Sequence, residues 1–249
     1  MAGHSHAANV AIRKGAQDKK RAQLFSKLAK EIIVAARLGG ADPDSNARLR
    51  LALRKARAQS LPKDTIMRAI KRGCGDLEGD AYEEISMEGY GPGGTAILCE
   101  VMTDNRNRAA GDIRHAFAKG GGNLGTSGCV AYMFNRRGLV LARGDDGDTV
   151  MMAALECGAE DVNDLEDGTF EILTEPSDTE TVSAGLANAG IEVVSDEVLF
   201  LPDTRVAVAG GDAAQLLTLL DLLDDCDDIQ KVHHNADINA AAIAEYSNS

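Results

Sequence analysis

The chain has no tryptophan, and aromatic residues make up only 4% of its 249 positions. Binding dominated by stacked aromatic platforms is therefore not expected. Cysteine is also sparse. Cys74, Cys99, Cys129, Cys157 and Cys226 are odd in number, scattered, and form no C-x-x-C pair. That argues against a disulfide framework or a zinc site and for a reducing compartment. The expectation for these thiols is that of small buried apolar residues. Long apolar runs are missing too: a stretch such as Leu216 to Leu223 is far too short to span a bilayer. The opening MAGHSHAANVAIRKG has no apolar h-region, so no secretory signal is expected. These absences point to a cytoplasmic protein without a membrane partner. An apolar fraction of 44% and a charged fraction of 26% mark a globular chain with enough length for an ample core.

Charge is the most informative property once it is divided. The whole chain carries −13, yet residues 1–75 hold 17 Lys and Arg against 5 Asp and Glu, or +12, and the remainder holds −25. A chain polarised this sharply is two electrostatic bodies joined together. The basic body suits a polyanion, and the acidic body repels one.

The basic region has helical periodicity. Leu24, Phe25, Leu28, Ile32 and Ala36 define one helix that Gly39-Gly40 stops. Asp42-Pro43-Asp44-Ser45 signals the next, with its apolar stripe at Leu49, Leu53 and Ala56. Ser60 and Pro62 open a third through Ile66 and Ile70 to Gly73, and Leu77 to Asp80 form a linker. Beyond it, strands at 82–89 and 95–103, a helix at 106–119 and a strand at 129–135 are predicted. Residues 139–198 then follow the β-α-β-β-α-β order of a ferredoxin-like domain. After Pro202 come a strand (205–208), a helix (213–223) and a strand (229–233). The fold class expected is α+β: an N-terminal three-helix domain, then two ferredoxin-like α/β domains, one inserted in the other. The boundaries are 1–80 for the basic helical domain, 81–135 with 203–249 for a discontinuous middle domain, and 136–202 for the insert.

The candidate nucleic-acid contacts are Arg13, Lys14, Lys19, Lys20 and Arg21 on the arm, Arg48, Arg50, Arg54, Lys55 and Arg57 on the second helix, and Lys63 on the third. Each phosphate neutralised by such a cation releases a counterion, the term that supplies most non-specific affinity. A solvated helix usually interleaves Glu with Lys for i,i+4 pairing, whereas no acid occurs between Arg48 and Arg57. Arg48, Arg54 and Lys55 are thus expected to face away from Leu24, Leu28, Leu49 and Leu53, free of internal carboxylates. In the acidic part, Asn105, Arg106 and Arg108 sit at a helix start, where arginine opposes the helix dipole. Capping alone or a secondary contact with RNA or a partner both explain them.

Other motifs have plainer explanations. The glycine clusters Gly89–Gly94 and Gly120–Gly125 lack the G-K-[ST] ending of a phosphate loop and are expected to form turns. His4 and His6 have no third ligand, and Asp224, Asp225, Asp227 and Asp228 lack calcium-loop spacing. His115 with Asp112 lacks a nucleophile. No cofactor, metal or turnover chemistry is expected.

Several stretches together resemble the YebC/PmpR family, which includes a mitochondrial translational activator of cytochrome oxidase. They are Met1–Ser5, Ala16-Gln17-Asp18, NARLRLAL from Asn46, LPKDTIMRAI from Leu61, EGYGPGG from Glu88, TDNRNR from Thr103, RHAF from Arg114, GGNLG from Gly121 and VAYMF from Val130. The resemblance implies a helical domain followed by two α/β domains, one set into the other, and no catalysis. It also implies one of two roles: DNA-binding transcriptional regulation, or ribosome-associated help for translation through sequences such as proline runs. Family members commonly begin G-H-S-K-W-A-N, whereas His6 and Ala7 stand here in place of Lys and Trp. An arm that enters an RNA pocket would make a different contact in this chain. The expected partner is nucleic acid, either DNA or ribosomal or transfer RNA, with the ribosome as a further candidate. A protein-interaction adaptor is the alternative from another class. The residues lean towards RNA, because no helix-turn-helix spacing with a clear recognition helix is present.

Overall fold

The computed structural model describes residues 17–78 and 81–247. Three helices come first: α1 (Gln17–Gly39), α2 (Ala47–Ala58) and α3 (Lys63–Gly73). Ile32, Ala35 and Ala36 of α1 pack with Leu49, Leu53 and Ala56 of α2 and with Ile66 and Ala69 of α3. The core therefore follows the apolar stripes, although Leu24 at the start of α1 stays exposed. The Asp42–Ser45 signal falls just short of the helix, because the buried Asn46 is the cap. Its side chain accepts from Leu49 N at 3.0 Å and donates to the Ala35 and Gly40 carbonyls at 2.8 and 2.9 Å. One amide thus satisfies orphan groups at the end of α1 and the start of α2.

β1 (Glu83–Tyr90) and β2 (Ala96–Thr103) form an antiparallel hairpin, followed by α4 (Arg106–Lys119) and the two-residue β3 (Asn123–Leu124). The expected strand at 129–135 is instead a 3-10 turn, Ala131–Met133, leading into β4 (Phe134–Arg143). The cause is local. The backbone N–H groups of Gly128, Val130 and Ala131 donate to the buried Glu88 carboxylate rather than to a neighbouring strand. From β4 the chain continues through α5 (Gly147–Glu156), β5 (Asp161–Asp164), β6 (Thr169–Thr174), α6 (Thr179–Asn188) and β7 (Glu192–Pro202). These strands form an antiparallel sheet in the order β5-β6-β4-β7, the ferredoxin-like arrangement.

The chain then returns to the first sheet. β8 (Val206–Val208) and α7 (Gly210–Asp224) lead to β9 (Ile229–His234), which pairs antiparallel with β2 and completes the order β3-β1-β2-β9. β8 stays outside that sheet and pairs in parallel with β10 (Ala236–Ile238), ahead of the last helix, α8 (Ala240–Ser247). Neither β10 nor α8 stands out in the sequence. β2 is nearly all buried because both faces of the sheet are covered. Ile97, Cys99 and Val101 meet α4 and α7, while Ala96 and Leu98 meet Val130, Phe134 and Phe200.

Candidate nucleic-acid interface

The basic helices present two kinds of cation. Those of the first kind each have an internal acceptor. Buried Lys30 donates to Asp228 Oδ1 at 2.7 Å and to the Asp227 carbonyl at 2.8 Å. Lys27 and Gln23 donate to the carbonyls of Asp224 and Asp225, both at 3.1 Å. Those carbonyls end α7, where unpaired acceptors and the negative end of the helix dipole both favour a cation. Arg48 grips Glu31 at 2.8 Å and also Glu84 of β1. Arg54 donates to both oxygens of Asp196 at 2.9 Å, Lys55 lies 3.8 Å from Glu197, and Arg50 lies 3.9 Å from Glu180.

This corrects the expectation for α2. Arg48, Arg54 and Lys55 are not free of internal carboxylates; they hold the helical domain to acidic strands elsewhere in the chain. The partners lie 36 residues away for Arg48 and Glu84, and 142 for Arg54 and Asp196, so no i,i+4 check finds them. Their electrostatics follow from this. The Glu84 hydrogen bond and Glu31 outweigh burial and hold the Arg48 pKa above its ordinary value. Burial, with Lys231 nearby, pushes the Lys55 amine below its ordinary value despite Glu197. A partly desolvated lysine already facing a carboxylate is a poor phosphate contact.

The other cations are open. Arg57, Lys63 and Lys71 are exposed and have no carboxylate partner among the described residues, and exposed Arg68 donates only to the Asp64 carbonyl of its own helix. Arg57 and Lys63 flank the short α2–α3 turn. Lys63 and Lys71 lie on one face of α3 on either side of Met67, which is 56% exposed. Arg57 and Lys63 were legible as candidates. Arg68 and Lys71 were missed, although Lys71, at i+8 from Lys63 and on the same face, carried a signal. Arg21, also exposed, sits over the Phe25 ring at 5.3 Å. Arg13 and Lys14, the His4 and His6 pair, Ala7 and the side chains of Lys19 and Lys20 lie outside the described residues.

The secondary candidates divide in the same way. Asn105 caps α4, accepting from Arg108 N at 3.1 Å. Arg108 bridges Asp104 at 2.8 Å and Asp228 at 2.9 Å, and those hydrogen bonds hold its pKa above the ordinary value. Arg106 is exposed with no ion pair among the described residues. Beside Arg108, α1, α4 and the α7–β9 connection enclose a groove of about 630 Å³ that includes His115, Asp112 and Cys226.

The family follows from the chain-wide match to these elements. Residues 5–76 match the TACO1/YebC N-terminal domain, and residues 82–236 match the TACO1/YebC second and third domain. The chain belongs to the TACO1/YebC family. A relative from Desulforapulum autotrophicum, named a "probable transcriptional regulatory protein", is 53% identical over 240 residues, covering 96% of this chain and 97% of that one. The "probable transcriptional regulatory protein YebC" of Salmonella choleraesuis is 49% identical over 239 residues, again 96% and 97%. The crystal structure of a conserved hypothetical protein from Aquifex aeolicus superposes with a TM-score of 0.80 at 40% identity, over 90% of this chain and 95% of that one. Among the described residues no helix is long and apolar enough to cross a membrane.

Proposed function

We propose that this TACO1/YebC member is a transcriptional regulator that binds nucleic acid through the outward face of α2 and α3, without turnover chemistry. One observation carries the reading. Arg48, Arg54 and Lys55 are paired to carboxylates elsewhere in the chain, while Arg57, Lys63, Arg68 and Lys71 stay exposed with no carboxylate partner among the described residues. Four cations against the single Asp64 form a phosphate-facing patch. The names of the relatives support a role in transcription. The groove beside His115 does not favour catalysis. Burial pushes its Cys226 thiol up to about 11, which keeps the sulfur protonated and weakly nucleophilic.

A second reading, a ribosome-bound RNA-binding translation factor, is favoured by the composition of that same face. Along α3, Lys63, Asp64, Met67, Arg68 and Lys71 include no Asn or Gln to read adenine edges, and exposed Gln59 at the α2–α3 turn is the single such amide beside them. Such a face grips backbone more readily than it reads a promoter. Genome-wide DNA crosslinking beside ribosome co-sedimentation at physiological salt separates the two. Crosslinking at discrete promoters that is lost in an Arg57→Ala/Lys63→Ala/Lys71→Ala variant supports transcription. Co-sedimentation lost in that variant, with no promoter enrichment, supports translation. Wild-type partition into neither overturns both.

A further inference from the structure

A second surface in the α/β part is built for contact. Between Ile113 and Gly144 there is no aspartate or glutamate, although residues 76–249 contain 34 of them. Within this stretch residues 125–133 are fastened at several points. The Glu88 carboxylate, only 3% exposed with its residue, accepts from Gly128 N at 2.7 Å and from Val130 N and Ala131 N at 2.8 Å. The Glu88 carbonyl accepts from Gly125 N at 2.8 Å, and the Tyr90 hydroxyl donates to the Cys129 carbonyl at 3.0 Å. Just before the loop, β3 is paired to the end of β1, with Asn123 opposite Tyr90.

This rigid segment displays a large ring. Tyr132 is 74% exposed, and the neighbouring Tyr90 is 41% exposed. The protein has four tyrosines and no tryptophan, so half of its tyrosines lie at one exposed spot. An aromatic held in water without covering forgoes the stabilisation that burial would give it. A ring on a pinned backbone, by contrast, loses little freedom when something stacks on it. The nearest buried acid, Glu88, has its charge offset by three N–H donors, and Arg136 is exposed a few residues on. Asp203 also touches the segment, its N–H donating to the Met133 carbonyl at 3.0 Å, and its carboxylate accepts from Asn135 Nδ2, so the carboxylates of both Glu88 and Asp203 have donors on or beside the segment.

We propose that the loop 125–133 is a stacking platform that takes an unpaired nucleobase of a single-stranded nucleic acid on Tyr132, with Tyr90 as its second ring. The proposal rests on the nucleic-acid-binding reading and adds to it a preference for unpaired bases. It supplies an aromatic contact that composition alone argued against, confined to one place. Tyr132 acts through its ring, and Glu88 is a positioning residue that holds the loop.

The test uses the full chain and a labelled single-stranded oligo(A) of about 12 nucleotides, within the usual site size, beside a duplex of equal length. Anisotropy gives affinity, and tyrosine emission, unobscured by tryptophan, reports stacking. The expected result is single-strand-dependent quenching in the wild type. Tyr132→Ala then weakens single-strand binding about 5- to 150-fold, the range for loss of one stacked base, and leaves the duplex unchanged. Tyr132→Phe keeps the wild-type affinity. The platform is overturned if Tyr132→Ala binds the single strand normally while Arg57→Ala/Lys63→Ala/Lys71→Ala weakens it. In that case the nucleic-acid reading survives. It is equally overturned if Tyr132→Phe loses as much as Tyr132→Ala, or if duplex and single strand weaken alike. Absence of any binding by the wild type to either oligonucleotide removes both readings together.

Discussion

Replacement of Lys30 by methionine tests how the basic helices are held to the acidic body. Lys30 and Asp228 are each 9% exposed at the side chain and lie 2.7 Å apart, and Lys30 also donates to the Asp227 carbonyl. Methionine keeps the length of the stem and removes only the ammonium. Asp228 would retain Arg108 at 2.9 Å and Thr103 Oγ1 at 3.1 Å. Removing one member of a buried pair costs about 3–5 kcal/mol when the other is left uncompensated. Two surviving partners reduce that, and the lost donor to Asp227 adds about 1 kcal/mol, so about 2–3 kcal/mol is expected. Burial pushes the Asp228 carboxyl up, but hydrogen bonds from Lys30, Arg108 and Thr103 outweigh it and hold the group below the ordinary carboxylate range. A depressed folded pKa stabilises the fold above the unfolded value of about 3.9, and that contribution fades as pH falls through the folded value. Lys30→Met is therefore expected to be less stable at neutral pH and to show a shallower loss of stability below about pH 4. Urea denaturation of the full chain across pH measures both. The loss should persist in 1 M salt, where the Debye length of about 3 Å screens exposed pairs far more than buried ones. A change under about 0.5 kcal/mol, the level of an ordinary surface substitution, would refute the idea that this pair clamps the two bodies.

Further outcomes follow from other sites. Arg57→Ala/Lys63→Ala/Lys71→Ala should lower the log–log salt slope of binding by about 0.9 per lost phosphate contact on a duplex, or about 0.7 on a single strand. Arg54→Ala/Lys55→Ala, which removes cations already paired to Asp196 and Glu197, should leave the slope unchanged in the same titration. Glu88→Gln should cost about 1–3 kcal/mol by weakening a buried acceptor of three N–H groups, and limited proteolysis should then cut within 125–131. Burial pushes the Glu88 carboxyl up, and those N–H donors hold it below its ordinary value. Its stabilisation is therefore present above about pH 4.3 and lost on further acidification, a dependence that Glu88→Gln should abolish in acid denaturation. Gly138→Ala should destabilise by about 1–3 kcal/mol in thermal melts, because a Cβ on β4 would collide with the Thr174 and Thr179 hydroxyls. Alkylation of the native protein should label exposed Cys74 first and spare buried Cys99, whose thiol burial pushes well up. Mass mapping of the adducts reads this directly.

What the sequence determined by itself was whatever depends on near neighbours along the chain. Periods of 3.6 and 2 placed α1 to α3, α4 and the strands of the ferredoxin-like insert, because each element buries one face and its residues repeat accordingly. The division of charge at residue 75 separated the basic body from the acidic one, since composition needs no coordinates. Only the tertiary structure decided which cations remain available. Arg48 and Arg57 stand in the same acid-free run, yet one is gripped by Glu31 and Glu84 while the other is open. Their difference lies in which face of α2 meets a strand that arrives much later in the chain. The same limit applies to residues 129–135, apolar enough to read as a strand but turned by a carboxylate 40 to 43 residues earlier. It applies again to Tyr132, whose exposure follows from that turn. Local pattern sets which elements form, because hydrogen bonding and side-chain spacing act over a few residues. Pairing of charge and exposure of a ring are set by elements that meet only when the chain has folded.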